Sequence, residues 1–288
     1  MFKHYLLNLR PYSWVDFILL GWLAKFWVNN QLGFETKDFY LAAAILLLWA
    51  FYNILLELVK GYQERGTMSV FPAIIALLTA VVLGYVGNNT TLVWVVISTV
   101  FVVAYLLKER VRFFGQINNL VRGLIQASYL LFAIAFYNAP LTGEIWWLAG
   151  AIVSLIFARS LVGDIRDVKH DAKINKQTLP VVLGIPIAKT LSTVAILVTI
   201  LVTTLVLNVT WAVTLPLWLF ALAVILYRNG YVLHQLSVLT TSAFAVNLIF
   251  VFTGQDLVII NLVYVGIFLN QIYYPLLSRK SNPTFVQT

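Results

Sequence analysis

The sequence predicts an all-α fold. It is expected to form one polytopic transmembrane helical bundle over residues 1–288, with nine or ten spans and a polar cavity at the cytoplasmic side. Three observations carry this expectation. The 288 residues are 61% hydrophobic and only 10% charged, with a mean hydropathy of +0.90, whereas soluble domains carry about 25% charged residues. Ten apolar runs follow one another, each long enough or nearly so for a helix to cross a bilayer. Only helices or closed barrels satisfy the backbone in lipid, and unbroken runs of this length exclude a barrel. Finally, basic residues gather in alternate connections between the runs.

In order, the runs are 13–30, 39–58, 69–86, 92–107, 119–137, 144–162, 186–207, 210–227, 235–253 and 257–277. One set of connections holds Lys3 and Arg10, then Lys60 and Arg65, then Lys108, Arg110 and Arg112. The same set continues with the charged cluster 164–176, Arg228, and finally Arg279 and Lys280. Between them lie Lys37 with Glu35 and Asp38, Gly87–Thr91, Asn138–Gly143, Asn208–Val209 and Gly254–Asp256, almost without basic residues. Because Lys and Arg mark the cytoplasmic side, both termini and the 164–176 cluster are placed inside. The formal net charge of +8 is thereby a property of topology and the lipid bilayer, with no nucleic-acid partner implied. Trp14, Trp94, Trp146, Trp147 and Trp211 lie near run ends and fit an interfacial belt. The Asn-x-Ser/Thr patterns at Asn88, Asn89 and Asn208 read as chance in polar loops. Nothing points to a eukaryotic source, so the expected location is a prokaryotic cell membrane. Cysteine is absent, which removes disulfides, thiolate metal sites and cysteine nucleophiles.

The most informative stretch follows the sixth run, Ser160 to Gly184, SLVGDIRDVKHDAKINKQTLPVVLG. Asp164, Asp167 and Asp171 are offset by three and seven residues, which on a helix confines them to an arc of about 60°. Such acids repel one another unless cations sit between them. Arg166, Lys169, His170, Lys173 and Lys176 are interleaved with them. Carboxylates suit hard divalent ions, and basic groups beside them suit phosphate oxygens. The pattern therefore fits half of a Mg²⁺-diphosphate site at a membrane surface. A solvated charged loop between two spans fits it as well.

A second acidic element closes the second run. Asn53, Glu57, Lys60 and Glu64 are spaced four, three and four apart and share a helix face. Glu57 lies within an apolar run, where an ionisable group is costly and points to function. A Glu57–Lys60 pair at the membrane edge is the plainer alternative. This helix and the one reaching Asp164 are four crossings apart and end on the same side. Their C-terminal dipoles both favour cations. Lys108, Asn118 and Arg122, around the start of the fifth run, lie on that side too and are candidates to hold diphosphate. His170 is a candidate base, or simply a solvated side chain.

The run DIRDVKHDAKINKQTLPVVLG resembles the second aspartate motif of UbiA-type intramembrane prenyltransferases. That motif reads Asp-x-x-Asp-x-x-x-Asp, a basic stretch, then Thr-Leu-Pro-x-x-x-Gly. Asp164, Asp167, Asp171, Lys176, Thr178, Leu179, Pro180 and Gly184 match it. Arg10-Pro11, Asn53, Lys108, Asn118 and Gly123 support the resemblance, which extends over nearly the whole length. The family usually has nine spans. The first motif departs from the family's Asn-Asp-x-x-Asp-x-x-x-Asp, reading here Asn53-Ile54-x-x-Glu57-x-x-x-Gly61. The usual Arg-Pro after it is reduced to Arg65-Gly66.

The resemblance implies Mg²⁺-dependent transfer of a prenyl group from a polyprenyl diphosphate to a lipophilic acceptor. That acceptor is an aromatic quinone or pigment precursor, or a glycerol-type alcohol. Asp164, Asp167, Asp171 and Glu57 would be catalytic through metal, with Glu64 able to supply a further carboxylate. Asn53, Lys108, Asn118, Arg122, Lys176 and Arg65 would hold the diphosphate. The eroded first motif leaves two alternatives: a catalytically impaired relative acting in binding or assembly, and an intramembrane terpene cyclase. A transporter fits less well, because the ionisable groups gather at one face rather than at the midplane.

Overall fold

The computed structural model describes residues 14–29, 34–60, 70–109 and 111–255, with 257, 260, 261, 264, 265 and 267–269 beyond them. All regular structure among the described residues is helical. The α-helices are α1 (Trp14–Asn29), α2 (Thr36–Lys60), α3 (Phe71–Gly87), α4 (Thr91–Leu106) and α5 (Arg112–Phe136). They continue with α6 (Gly143–Lys173), α7 (Leu179–Leu183), α8 (Ile185–Leu201), α9 (Leu215–Leu226) and α10 (Gly230–Phe252). Short turns of other pitch follow α4 at Leu107–Glu109 and α8 at Val202–Val206, and another precedes α9 at Trp211–Thr214.

Among the described residues, five helical stretches are long and apolar enough to cross a membrane: Thr36–Leu56, Arg112–Phe136, Gly143–Lys173, Ile185–Val206 and Gly230–Phe252. Four shorter apolar ones lie at Phe17–Asn29, Phe71–Gly87, Thr91–Leu106 and Trp211–Leu226. The first nine expected runs thus each correspond to a helix. Most of the tenth, 257–277, lies outside the described residues.

The bundle is organised on α5, which packs against α1, α4 and α6. Every residue from Ala127 to Phe136 is buried, so this part of the helix meets protein on all sides. By contrast α3 buries only Ala73, Ala76, Ala80 and Gly84, one narrow stripe of small residues. Its large side chains, such as Leu78 and Val82, are exposed at 59% and 62%. In a bilayer, small residues bring helix backbones together while large apolar ones face lipid. Trp146, Trp147 and Trp211 are exposed as well, as an interfacial belt requires.

Contacts sort the connections to two ends. At one end Asn88 donates to the Asn138 side chain at 2.7 Å, and Trp27 meets Phe252 edge-on at 4.5 Å. Lys25 of α1 and Asp38 of α2 also pair there, 2% and 1% exposed. The Tyr137 hydroxyl and the Glu35 backbone N–H donate to the same carboxylate, the latter at 2.6 Å. A buried acid is tolerable only when its oxygens are filled in this way. In the sequence Asp38 stands only as one acid of the connection that also holds Glu35 and Lys37. The ends of α2, α4 and α6 and the start of α5 form the other end.

Two helix limits differ most from the expected runs. α5 starts at Arg112 instead of 119, and α6 runs to Lys173 instead of 162. Hydropathy marks where lipid stops, whereas a helix continues for as long as its own backbone hydrogen bonds do. The aspartates consequently lie on a rigid helix and not on a solvated loop.

Candidate active site

α6 carries Asp164, Asp167 and Asp171 beyond its apolar part. Its end is built by Asn175, whose φ of 56° is left-handed. The Lys176 N–H donates to the Asp171 carbonyl at 2.8 Å, and the Asn175 N–H to that of Ala172 at 3.2 Å. These two bonds form a Schellman motif, which satisfies carbonyls left open by the last turn. The motif folds residues 176–178 back along the helix. Thr178 then begins α7, Pro180 stands in its first turn, and Gly184 closes it at φ 86°. Thr178 makes no side-chain cap to its own helix; its hydroxyl donates to Asp171 Oδ2 at 3.4 Å. The Thr-Leu-Pro-x-x-x-Gly pattern is thus a helix start and stop whose threonine faces the last aspartate.

Gly115 of α5 receives this segment. A Cβ there would lie 2.8 Å from the Gln177 carbonyl oxygen, so glycine permits the close approach. On the far side of α6, a Cβ at Gly230 would lie 2.9 Å from the Arg166 Cα. The start of α10 therefore backs directly onto the aspartate segment.

The three acids have different surroundings. Asp164 is partly buried and accepts from Asn119 Nδ2 at 3.0 Å. Asp171 is only 6% exposed. Asp167 is more open and is held in a bidentate pair by its neighbour Arg166 at 2.7 and 2.6 Å. The Arg166 guanidinium in turn lies over the Tyr231 ring, 5.9 Å from its centroid. Among the described residues, no three Asp, Glu or His side chains group closely enough to hold one ion between them.

Lys108 is buried at the end of α4. Its ammonium donates to Tyr105 Oη at 2.5 Å and lies 3.7 Å from that ring's centroid. It is within electrostatic reach of both Asp164 and Asp171. Lys176, partly buried, acts on Asp171. Arg122, half-buried on α5, acts with Lys108 on Tyr52 of α2. Tyr52 meets Tyr105 edge-on at 5.5 Å. The acid segment of α6 is thereby linked to α2 through α4 and α5.

Two buried amides belong to the same end of the bundle. Asn118, 1% exposed, lies against Asp164 within hydrogen-bonding reach of its carboxylate, and among the described residues its amide atoms meet no partner at full hydrogen-bond geometry. Asn53, also 1% exposed, donates to the Trp49 carbonyl at 3.0 Å while its Oδ1 has no partner among the described residues. Glu57 lies on α2, but its side chain is outside the described residues, as are Glu64 and Arg65 altogether. His170 is exposed on α6. Asn119 was missed by the sequence reading, although two adjacent amides before an apolar run were a usable signal. Nothing in the sequence set Tyr52 apart from the other aromatics of the spans.

The donor set fits Mg²⁺. It consists of hard oxygens: two carboxylates on one helix face and the Asn53 amide oxygen, which has no partner among the described residues. Mg²⁺ keeps several waters and takes one or two carboxylates together with phosphate oxygens. Lys108, Arg122 and Lys176 around these acids suit a polyanionic ligand.

A profile of the UbiA prenyltransferase family matches residues 57–252, more than half of the chain. No match was found among curated proteins. The structure resembles the apo form of a UbiA homologue from Aeropyrum pernix K1, with TM-score 0.62, 13% identity, and coverage of 83% of this chain and 95% of that one. It resembles a UbiA homologue from Archaeoglobus fulgidus bound to GPP and Mg²⁺ at TM-score 0.61, 14% identity, and coverage of 87% and 99%. It also resembles a digeranylgeranylglyceryl phosphate synthase at TM-score 0.58, 16% identity, and coverage of 88% and 96%.

Proposed function

The chain belongs to the UbiA prenyltransferase family, and on that premise we propose that it transfers a prenyl group from a polyprenyl diphosphate to a lipophilic acceptor, with Mg²⁺. The observation that carries the proposal is the convergence of Asp164, Asp171, Lys108, Lys176 and the buried amide of Asn118 at one end of the bundle. The similar A. fulgidus protein was seen with GPP and Mg²⁺, which supports the choice of ligand.

Asp164 and Asp171 would hold Mg²⁺, with Asp167 joining them once Arg166 lets go of it. Glu57 and Glu64 are proposed to contribute from the α2 side. When bound, the ion neutralises charge on the departing diphosphate. Lys108, Arg122, Lys176 and Arg65 are proposed to bind the phosphate oxygens, and Asn53 and Asn118 to donate to them. As the allylic C–O bond breaks, negative charge grows on the diphosphate, where fixed cations act most strongly in a dry site. Positive charge grows on the prenyl carbon, which aromatic rings of the surrounding spans would stabilise through their π faces. The surrounding apolar helices exclude water that would otherwise capture the cation. The acceptor is an aromatic ring or a glycerol-type hydroxyl, and the reaction takes place at the cytoplasmic face of a prokaryotic membrane.

Purified protein incubated with Mg²⁺, labelled geranylgeranyl diphosphate and a panel of both acceptor classes tests the proposal. Metal-dependent diphosphate release with label in a lipid product is expected. Binding without release would favour the second reading, a catalytically impaired relative. The replacement of first-motif acids by Ile54 and Gly61 points in that direction.

A further inference from the structure

We propose that Lys189 and Arg228 bind the phosphate of an anionic phospholipid between the start of α8 and the end of α9. The pair lies at the same end of the bundle as the aspartates but apart from them, and the proposal is independent of the prenyl-transfer reading.

Lys189 stands in the second turn of α8. It is only partly exposed, and its ammonium donates to the Tyr227 carbonyl at 2.6 Å. That carbonyl belongs to the C-cap of α9, where the helix dipole favours a cation. Arg228 is the next residue and is exposed. The bond therefore brings a second cation beside the first, and the two charges act on each other. No acid balances them. From residue 172 to 255 the sequence has no Asp or Glu, and among the described residues neither side chain is in an ion pair. Packing shuts off the aspartates of α6. Ala188, the residue before Lys189, is buried with Leu161 and Ile165 of α6, and Leu179 and Leu191 pack around them.

Arg228 by itself would be an ordinary marker of sidedness. A partly buried lysine anchored to the carbonyl beside it is a different arrangement. Two like charges held together repel, and an anion between them relieves the repulsion. The surroundings decide which anion. Ile185 and Ile187 of α8 and Leu222, Ile225 and Leu226 of α9 flank the pair and are exposed. In a bilayer these side chains meet acyl chains, so the phosphate that reaches both cations is carried by a lipid. Lysine and arginine suit phosphate oxygens, and basic pockets between spans hold anionic head groups. A zwitterionic lipid brings its own cation and leaves the pair unbalanced.

The test uses the purified, delipidated full chain in neutral detergent micelles, titrated with phosphatidylglycerol and, separately, with phosphatidylcholine. Native mass spectrometry counts the lipids retained. Phosphatidylglycerol should bind saturably and more tightly than phosphatidylcholine. Arg228→Gln should weaken its binding about fivefold, the share of one cation near a charged lipid surface, and leave phosphatidylcholine unaffected. Arg112→Gln removes an exposed charge from the same end but outside the pair, and should change neither affinity. If Arg112→Gln weakens phosphatidylglycerol as much as Arg228→Gln does, the preference belongs to the basic end in general and the proposal fails. Equal binding of the two lipids, or no change in Arg228→Gln, overturns it as well. Inorganic phosphate at millimolar concentration should not displace the lipid; displacement that Arg228→Gln abolishes would make the ligand a free anion and overturn the lipid assignment. Lys189→Gln also removes the bond to Tyr227, so Arg228→Gln is the variant that decides.

Discussion

Replacing Asp171 by Asn removes one charge from the site while leaving its scaffold in place. The Schellman bonds at the end of α6 use the backbone carbonyl of residue 171, which Asn retains. The contact from Thr178 is 3.4 Å long, so its loss or weakening is worth at most about 1 kcal/mol. An uncharged side chain at a position only 6% exposed is also cheaper to bury. Stability should therefore hold or rise slightly. The chemical step should suffer, because a preorganised electrostatic group of this kind is typically worth ~10²–10³ in turnover, or about 2.7–4 kcal/mol. Thr178→Val, which removes the positioning contact and keeps the charge, should cost less than about tenfold. The assay is Mg²⁺-dependent release of diphosphate from labelled geranylgeranyl diphosphate, with thermal unfolding in detergent run alongside. If Asp171→Asn turns over within threefold of the unaltered chain and with the same Mg²⁺ dependence, Asp171 is not a metal ligand and the proposed site is wrong.

Three further outcomes are expected. Gly115→Ala places a Cβ 2.8 Å from the Gln177 carbonyl, so the 176–178 segment must shift, at a cost of about 1–3 kcal/mol. Its Michaelis constant for the diphosphate should rise while the helical circular dichroism stays unchanged. Lys25→Met strands the buried Asp38 carboxylate far from the site. A loss of about 3–5 kcal/mol is expected, seen as a lower unfolding temperature, and Lys25→Met with Asp38→Leu should recover most of it. Glu57→Gln should raise the Mg²⁺ concentration needed for half-maximal rate. If it is silent while Glu64→Gln is not, the acid supplied by α2 lies one turn further along.

Much of the fold was legible because a bilayer imposes one requirement on every span, an apolar length that any hydropathy reading detects. The limits of α5 and α6 were not legible, since nothing in composition says how far a helix projects past the lipid. Asp164, Asp167 and Asp171 could be read as a group from their spacing alone, because helical geometry converts offsets of three and seven into a shared face. Spacing also marked Thr178, Pro180 and Gly184, which the structure explains as the start and stop of α7.

Which partner each side chain takes, near in sequence or far, was decided only by the folded structure. Asp167 was indistinguishable in sequence from its two neighbours on the motif, yet it alone is gripped by Arg166. Asn119 reaches Asp164 across 45 positions, and Lys108 is pinned to Tyr105. Asp38 and Lys25 read as a loop charge and a span residue and turned out to be one buried pair. Periodicity and charge act along the chain and so can be read from it. Which cation neutralises which acid depends on how the helices are rotated and how closely they approach, and those quantities exist only once the bundle has packed.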